Sequence, residues 1–270
     1  MDYLFYIIFF VLGSIIGSFL NVLVLRFNTG LSFINGKSKC FSCGAYIEWY
    51  DLVPIISFLI LGGKCRNCQS KISIQYPLVE FVTGLLFALA FWKIAEINVV
   101  LILVLAILSL LVATSVYDLK HKIIPDEFVF SFCGLSLLLL LYNTFISGLW
   151  GTDFLLSLSA GPILFLFFFL FWFLSSGRLM GLGDAKLALG VGWFLGMVYG
   201  VSAIFLAFWI GAVVSLILIL FQKLKISSRK FTMKSEIPFA PFIILGLLIE
   251  FFLQFDVIQS HTLIEIIKNV

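Results

Sequence analysis

Two aspartates at the edges of long apolar runs are the residues best suited to do chemistry. Asp184 lies in residues 181–186 (GLGDAK), between an apolar run at 154–174 and another that begins at Leu187. Asp118 closes a further apolar run. A charged side chain in hydrocarbon costs about 2.5–3.5 kcal/mol on insertion scales, so each carboxylate needs a reason to be there. If helix packing brought the two together, they could share one proton and activate water against a peptide bond, as in aspartic proteases.

The alternative interpretation of these aspartates is structural. Each could cap a helix end or pair with a nearby lysine, namely Lys120, Lys122 or Lys186. Asp126 and Glu127 stand at the start of the next apolar segment, where the helix dipole favours acidic residues. We interpret both as structural, with Asp126 as the fallback catalytic residue if Asp118 is not one.

The composition places the chain in a membrane. Of its 270 residues, 62% are hydrophobic and only 11% are charged, against about 25% charged in soluble domains. The mean hydropathy is +1.18. The first apolar run, residues 3–25, lacks a basic leading region and is long enough to span a bilayer, so we interpret it as a retained helix. Nothing predicts a nucleic-acid partner or a particular oligomeric state.

Apolar segments predict an all-α polytopic membrane protein with about eight transmembrane helices. About 20 residues are needed for each crossing, and the second and sixth segments are shorter than this. The predicted spans are residues 3–25, 78–92, 99–117, 128–146, 154–174, 187–198, 201–220 and 239–255.

The basic residues orient these spans. If the N-terminus lies outside, every lysine and arginine except Lys93 and Lys268 falls on the inner side. This asymmetry follows the positive-inside rule. It predicts that Asp118, Asp184 and the long loop 26–76 all face the cytoplasm.

The loop carries two C-x-x-C motifs with 21 intervening residues, 44–64. Paired motifs of this kind are typical of a four-thiolate zinc site, in which each supplies two ligands from one tight turn. Two disulfides are the alternative, but a reducing cytoplasm disfavours them. Four protein ligands leave no open position, so the predicted zinc is structural. Its predicted ligands are Cys40, Cys43, Cys65 and Cys68.

Three other features have open or simple interpretations. Trp49 and Tyr50 are typical of an aromatic anchor at the membrane interface. Glu80 lies just inside the second predicted span, where a carboxylate either pairs structurally or faces a substrate. Cys133 stands alone in the fourth span and is expected to be a small core residue.

Seven segments together resemble the type IV prepilin peptidases, the leader peptidase/N-methyltransferases, over nearly the whole chain. Phe41 departs from the family pattern, which commonly has proline there; this should alter the turn and not the ligand set. The matching segments, in the family's order, are residues 17–22 with Arg26, both C-x-x-C motifs, 49–54, 76–80, Asp118 with 124–126, 181–186 and 237–242.

The resemblance implies a G-x-G-D aspartyl protease in a bacterial inner membrane. Asp118 and Asp184 would be the catalytic pair, supported by Gly181, Gly183 and Lys186, and the two glycines would leave room for a substrate backbone. Substrates would be prepilins or pseudopilins of type IV pili or type II secretion, cut at the cytoplasmic face before their apolar helix. The new N-terminal amine would then be methylated from S-adenosylmethionine.

The resulting division of the chain has three parts. Residues 1–25 form the first transmembrane helix, 26–76 the cytoplasmic zinc-binding loop, and 77–270 the transmembrane protease core. Two other classes of function compete with this one: a small transporter or channel with a zinc-stabilised loop, and an assembly factor that uses the loop for docking. In a transporter, intramembrane carboxylates such as Glu80 and Glu250 would bind ions or protons.

Overall fold

The computed structural model describes residues 2–32, 36, 38–148, 150–178, 180–223 and 238–254. The predicted end of the last span at Phe255, the basic residues between 224 and 237, Lys37 and Lys268 lie outside them. The described residues confirm an all-helical fold: α1 (Asp2–Arg26), α2 (Ile56–Ile60), α3 (Gln75–Ile94), α4 (Val99–His121), α5 (Asp126–Ser147), α6 (Thr152–Leu174), α7 (Leu182–Lys223) and α8 (Ala240–Leu253).

Six of these helices, α1 and α3 to α7, are long and apolar enough to cross a membrane, and α8 is a shorter apolar helix. The predicted polytopic membrane fold is therefore confirmed. Between α1 and α3, the described residues contain α2, a short 3-10 turn, Trp49–Leu52, and two isolated β-bridges, one between Lys39 and Tyr46 and one between Lys64 and Lys71.

Helix α7 folds back on itself and so contains two of the predicted spans. Gly196 interrupts it with φ 77° and ψ −176°, a conformation that favours glycine. A Cβ built on Gly200 would lie 3.5 Å from Cα of Gly192, whereas eight residues of straight helix rise about 12 Å. The two arms therefore pack against each other. They correspond to predicted spans 187–198 and 201–220, but the break is at Gly196 instead of 199–200.

The chain divides into two compact units, residues 1–116 and 117–270. In the first unit, α1 packs closely on α3 through glycines. A Cβ on Gly13 would lie 2.6 Å from the carbonyl oxygen of Thr83, and one on Gly17 would lie 2.8 Å from Cα of Glu80. Small residues spaced four apart allow such close backbone approach between membrane helices. This contact fixes the position of Glu80 against α1.

In the second unit, α7 packs against α5, α6 and α8. A Cβ on Gly192 would lie 2.5 Å from the backbone nitrogen of Gly161 in α6. Trp193 Nε1 donates a hydrogen bond of 3.0 Å to the carbonyl oxygen of Leu158. Cys133 of α5 is buried, as predicted, and its Sγ lies 3.5 Å from the carbonyl oxygen of Lys186. These contacts fix the start of α7, where Asp184 lies.

The glycine contact between α1 and α3 predicts a large difference between two identical substitutions. Gly17→Ala should lower the free energy of unfolding by about 1–3 kcal/mol, because the new methyl group overlaps α3. Gly134→Ala in α5 is the matched control, since a Cβ there meets nothing within 4 Å, and it should be neutral or slightly stabilising. Thermal unfolding of both variants in the same detergent tests this; equal shifts would contradict it.

Candidate active site and metal centre

Asp118 lies in the last turn of α4 and is only 4% exposed. The helix ends immediately afterwards, because Lys122 adopts a left-handed conformation (φ 55°) and donates its N–H to the carbonyl oxygen of Asp118 at 2.7 Å. The backbone N–H of Ala240, at the start of α8, donates a hydrogen bond to the Asp118 carboxyl group. The buried Oδ2 receives no hydrogen bond from the described residues.

Asp184 is the third residue of α7 and is also buried. Its Oδ2 accepts a hydrogen bond of 3.3 Å from the backbone N–H of Gly181, which precedes the helix. An acidic residue that reaches back from the third helical position is half of a capping box. The capping interpretation of Asp184 is therefore correct as far as it goes. It does not exclude a second role, because only Oδ2 is occupied by the cap.

The structure brings Asp118 and Asp184 close enough for their charges to interact. The lysine-pairing interpretation is wrong for Lys186, which forms an ion pair of 2.7 Å with Asp126 Oδ1. Among the described residues, no ion pair joins Asp118 to Lys120 or to Lys122. Within the described ranges, no cation forms an ion pair with either carboxyl group, and two interacting carboxyl groups cannot both ionise cheaply.

The two glycines next to Asp184 have different surroundings. A Cβ on Gly183 would lie 3.0 Å from Cβ of Ile124, so the space beside this glycine is filled by the chain itself. A Cβ on Gly181 would meet nothing closer than Asp184 Oδ2 at 3.5 Å. The expected room for a substrate backbone is therefore present at Gly181 and absent at Gly183, where the missing side chain lets Ile124 pack against α7.

The sequence does not predict the hydrogen bond from Ala240. Residues 237–242 contribute only to the family resemblance, and Ile237 lies outside the described residues. The available signal was the pair of prolines, Pro238 and Pro241, which favours a helix start between them. A helix start presents free N–H groups that stabilise negative charge, and here one of them reaches Asp118.

The four predicted zinc ligands lie together in the first unit. The Sγ atoms of Cys40, Cys43, Cys65 and Cys68 are all within 4.8 Å of one another. Cys40 Sγ and Cys68 Sγ are 3.8 Å apart, and a tetrahedral zinc with Zn–S bonds of about 2.3 Å requires sulfur–sulfur separations of about 3.8 Å. None of these cysteines is in a disulfide. The cluster could therefore hold a zinc ion.

The two C-x-x-C motifs form equivalent turns. In the first, the Gly44 N–H donates to the Cys40 carbonyl oxygen at 2.9 Å; in the second, the Gln69 N–H donates to that of Cys65 at 3.0 Å. Gly44 (φ 72°) and Gln69 (φ 58°) share the left-handed conformation. Hydrogen bonds from the backbone of Cys43 and Ser42 lower the pKa of Cys40 to about 6. Despite a backbone hydrogen bond from Ala45, the neighbouring Cys68 and Cys40 thiols raise the pKa of Cys43 to about 11.

The turn of the second C-x-x-C motif contacts the 3-10 turn at Trp49–Leu52. Arg66, between the second pair of cysteines, forms an ion pair of 2.6 Å with Asp51 and lies over the Tyr50 ring at 5.2 Å. Hydrogen bonding to Arg66 keeps the pKa of Asp51 below its usual value. Trp49 remains 77% exposed, which is compatible with the predicted interface anchor.

Comparisons with known proteins match this chain in two adjoining regions. Residues 11–94 match the model of the bacterial peptidase A24 N-terminal domain, and residues 105–216 match that of the type IV leader peptidase family. No solved structure matches.

Three relatives are called prepilin leader peptidase/N-methyltransferase. The Bacillus subtilis protein is 31% identical over 94% of this chain and 96% of its own length. The Legionella pneumophila protein is 30% identical over 80% of this chain and 72% of its own length. The Myxococcus xanthus protein is 41% identical, over 45% of this chain and 36% of its own length.

The two equivalent turns allow a matched test of metal binding. Gly44→Ala should weaken zinc retention about fivefold or more, because a Cβ in the left-handed region costs about 1–2 kcal/mol. Gln69→Gly, at the equivalent position, should retain zinc at least as well as the wild type because it removes that strain. Metal content and the rate of zinc loss to a chelator would measure both. A wild-type protein without zinc, or equal losses in both variants, would contradict the assignment.

Proposed function

Because this chain belongs to the type IV leader peptidase family, we propose that it is a membrane aspartic endopeptidase that removes the leader from prepilins or pseudopilins. The observation that carries this proposal is the pair of buried carboxyl groups, Asp118 and Asp184, whose charges interact and which form no ion pair with a cation in the described part of the chain. A transporter or an assembly factor has no need of such a pair at two adjoining helix ends.

The pair performs hydrolysis with one proton shared between the two carboxyl groups. Two like charges this close cannot both ionise cheaply, so one group stays protonated. The ionised group takes a proton from water, and the oxygen of that water attacks the scissile carbonyl carbon. The protonated group donates a hydrogen bond to the carbonyl oxygen. Apparent titration constants belong to the pair, not to either residue.

One backbone amide holds each carboxyl group in place. Ala240 donates to Asp118, and Gly181 donates to Asp184 Oδ2. Each aspartate thereby keeps a second oxygen for water, substrate or the shared proton. Fixed donors of this kind favour catalysis because the site needs no reorganisation when charge develops. The open side of Gly181 is where the substrate backbone approaches.

The site lies at the cytoplasmic face of the membrane in this proposal. Asp118 is in the last turn of α4 and Asp184 is in the first turn of α7, so both are at helix ends. The positive-inside asymmetry of the sequence favours a cytoplasmic position for these ends. A prepilin has a basic leader before its apolar helix. A cut at this boundary avoids moving the leader's charges through lipid, which would cost several kcal/mol.

The same chain N-methylates the newly exposed amine, with S-adenosylmethionine as the methyl donor. The names of the relatives pair both activities. The zinc held by the four cysteines is structural, because all four positions of a tetrahedral ion are taken by protein sulfur. It fixes the loop 26–76, and residues 77–270 form the protease core.

Three Asp→Asn variants test the catalytic pair. Asp118→Asn and Asp184→Asn should each reduce prepilin cleavage about 1,000-fold or more, because neither can take part in sharing a proton. Asp126→Asn is the matched control. Asp126 is exposed and pairs with Lys186, so losing this ion pair should lower the free energy of unfolding by less than about 1 kcal/mol and leave cleavage intact. Mass analysis of a co-expressed prepilin measures all three. A processed substrate in either of the first two variants would refute the assignment.

The methylation is tested separately from cleavage. Wild-type protein incubated with prepilin and S-adenosylmethionine should yield a product that lacks the leader and carries one added methyl group. Asp184→Asn, given a substrate that has already been cleaved, should still methylate it, because the aspartate pair takes no part in that step. A product that remains unmethylated with the donor present would disprove this half of the proposal.

A further inference from the structure

Glu80 is a buried carboxyl group that the proposed peptide cleavage does not use. It lies in the second turn of α3 and is 7% exposed. The backbone N–H of Ile55 donates to Glu80 Oε2 at 2.7 Å, and the hydroxyl of Ser18 in α1 is hydrogen-bonded to the same carboxyl group. An ionised carboxylate accepts about four hydrogen bonds, so these two donors leave capacity for a ligand.

The donor at Ile55 is held in an unusual backbone conformation. Ile55 has φ 62° and ψ −52°, and the Ile56 N–H donates to the Pro54 carbonyl oxygen at 2.6 Å. These are the features of a γ-turn with positive φ at its centre, which is rare and strained. A β-branched residue is especially unfavourable there. Backbone strain of this kind concentrates at functional sites, and here it aims an amide at Glu80.

A buried acceptor that receives no hydrogen bond from the described residues lies on α1, where Asn21 contacts Tyr76, the residue one helical turn before Glu80. Asn21 in α1 is 1% exposed, and its Nδ2 donates to the carbonyl oxygens of Gly17 and Tyr76 at 3.3 Å and 3.2 Å. These two acceptors fix the orientation of the amide, because Oδ1 could not face them. The buried Oδ1 receives no hydrogen bond from the described residues.

The packing of α1 on α3 puts Asn21 and Glu80 at neighbouring positions of one helix contact. Gly17 lies against the backbone of Glu80, and Asn21, four residues after Gly17, contacts Tyr76, four residues before Glu80. Residues four apart on a helix are neighbours, about 5–6 Å apart at Cβ. The site thus offers a carboxylate with spare acceptor capacity and an amide oxygen that receives no hydrogen bond from the described residues. A primary amine fits this chemistry, since it brings up to three N–H donors and its cation suits a buried carboxylate.

We propose that Glu80 and Asn21 bind the α-amino group that leader removal exposes, and that Glu80 accepts its proton before methylation. This inference rests on the methylating half of the proposed function, and it names the amine site of that reaction. The α-amino group is mostly protonated at neutral pH, because its usual pKa is about 7.7–8.0. Only the neutral amine has a lone pair with which to attack a methyl group.

The step balances without a further reactant. The substrate ammonium transfers one proton to the Glu80 carboxylate, which leaves a neutral amine and a neutral carboxylic acid. The nitrogen lone pair then forms a bond to the methyl carbon of S-adenosylmethionine, and the carbon–sulfur bond breaks with its electrons going to sulfur. The positive charge moves from sulfur to nitrogen. Glu80 returns its proton to solvent, and the product is a secondary ammonium.

Glu80→Gln tests the inference in the full-length protein in lipid nanodiscs, because glutamine can still accept the Ile55 hydrogen bond but cannot take a proton. The substrates are a prepilin for cleavage and a peptide with the mature pilin N-terminus for methylation. We expect cleavage and zinc content like the wild type, and methylation slowed about tenfold near pH 7, where only about a tenth of the free amine is neutral. The deficit should shrink to within about twofold near pH 9.5, where the amine is already neutral.

Two further variants separate this role from a structural one. Asn21→Ala should raise KM for the peptide more than it lowers kcat, since the amide binds the amine without taking its proton. Glu250→Gln, at a buried carboxyl group of α8, is the matched control and should leave methylation unchanged.

The outcomes distinguish the two proposals. A wild-type protein that cleaves but never methylates refutes the proposed methylation and this inference with it. If the wild type methylates, equal methylation by Glu80→Gln at every pH overturns the inference alone. The methylation deficit of Glu80→Gln could instead be the same at both pH values, or cleavage could fall as well. Either result would mean that Glu80 only holds the Ile55 turn, and it would also overturn the inference.

Discussion

The cost of placing a carboxylate next to hydrocarbon is the constraint on which this structure depends. At three buried acids the chain meets that cost in the same way, by giving the carboxyl group a backbone N–H. The N–H of Ala240 donates a hydrogen bond to Asp118, that of Gly181 to Asp184 and that of Ile55 to Glu80. Each donor comes from a helix start or a strained turn, where N–H groups are not used by a helix ladder. The irregular backbone between helices is therefore as important as the helices.

Close helix packing keeps these acids and their donors aligned. Glycines bring α1 against α3 in the first unit and α6 against α7 in the second, so the backbones nearly touch. Packing of this kind leaves little freedom for helices to rotate, and a buried carboxyl group must stay within hydrogen-bond distance of its donor. In a bilayer, where lipid tails are as apolar as leucine, such van der Waals contact is a main source of helix association.

The sequence predicts the class of fold and most of the candidate site, since both depend on local patterns. Apolar runs locate the helices, and the spacing of the four cysteines predicts their cluster. The donors could not be predicted in this way. The positive φ of Ile55 contradicts the preference of a β-branched residue, and Ala240 reaches Asp118 only through tertiary packing. The break in α7 was misplaced by three or four residues because several glycines compete for it and packing decides among them.

The hydrogen bond from Ala240 has a consequence for the biosynthesis of the enzyme. The G-x-G-D segment and Asp118 both precede α8 in the chain, yet Asp118 obtains its only backbone donor among the described residues from the first turn of α8. A nascent chain that has been inserted as far as α7 already contains both aspartates but lacks this donor. In the proposed mechanism, the Asp118 carboxyl group thus acquires this backbone donor only when α8 packs into the second unit.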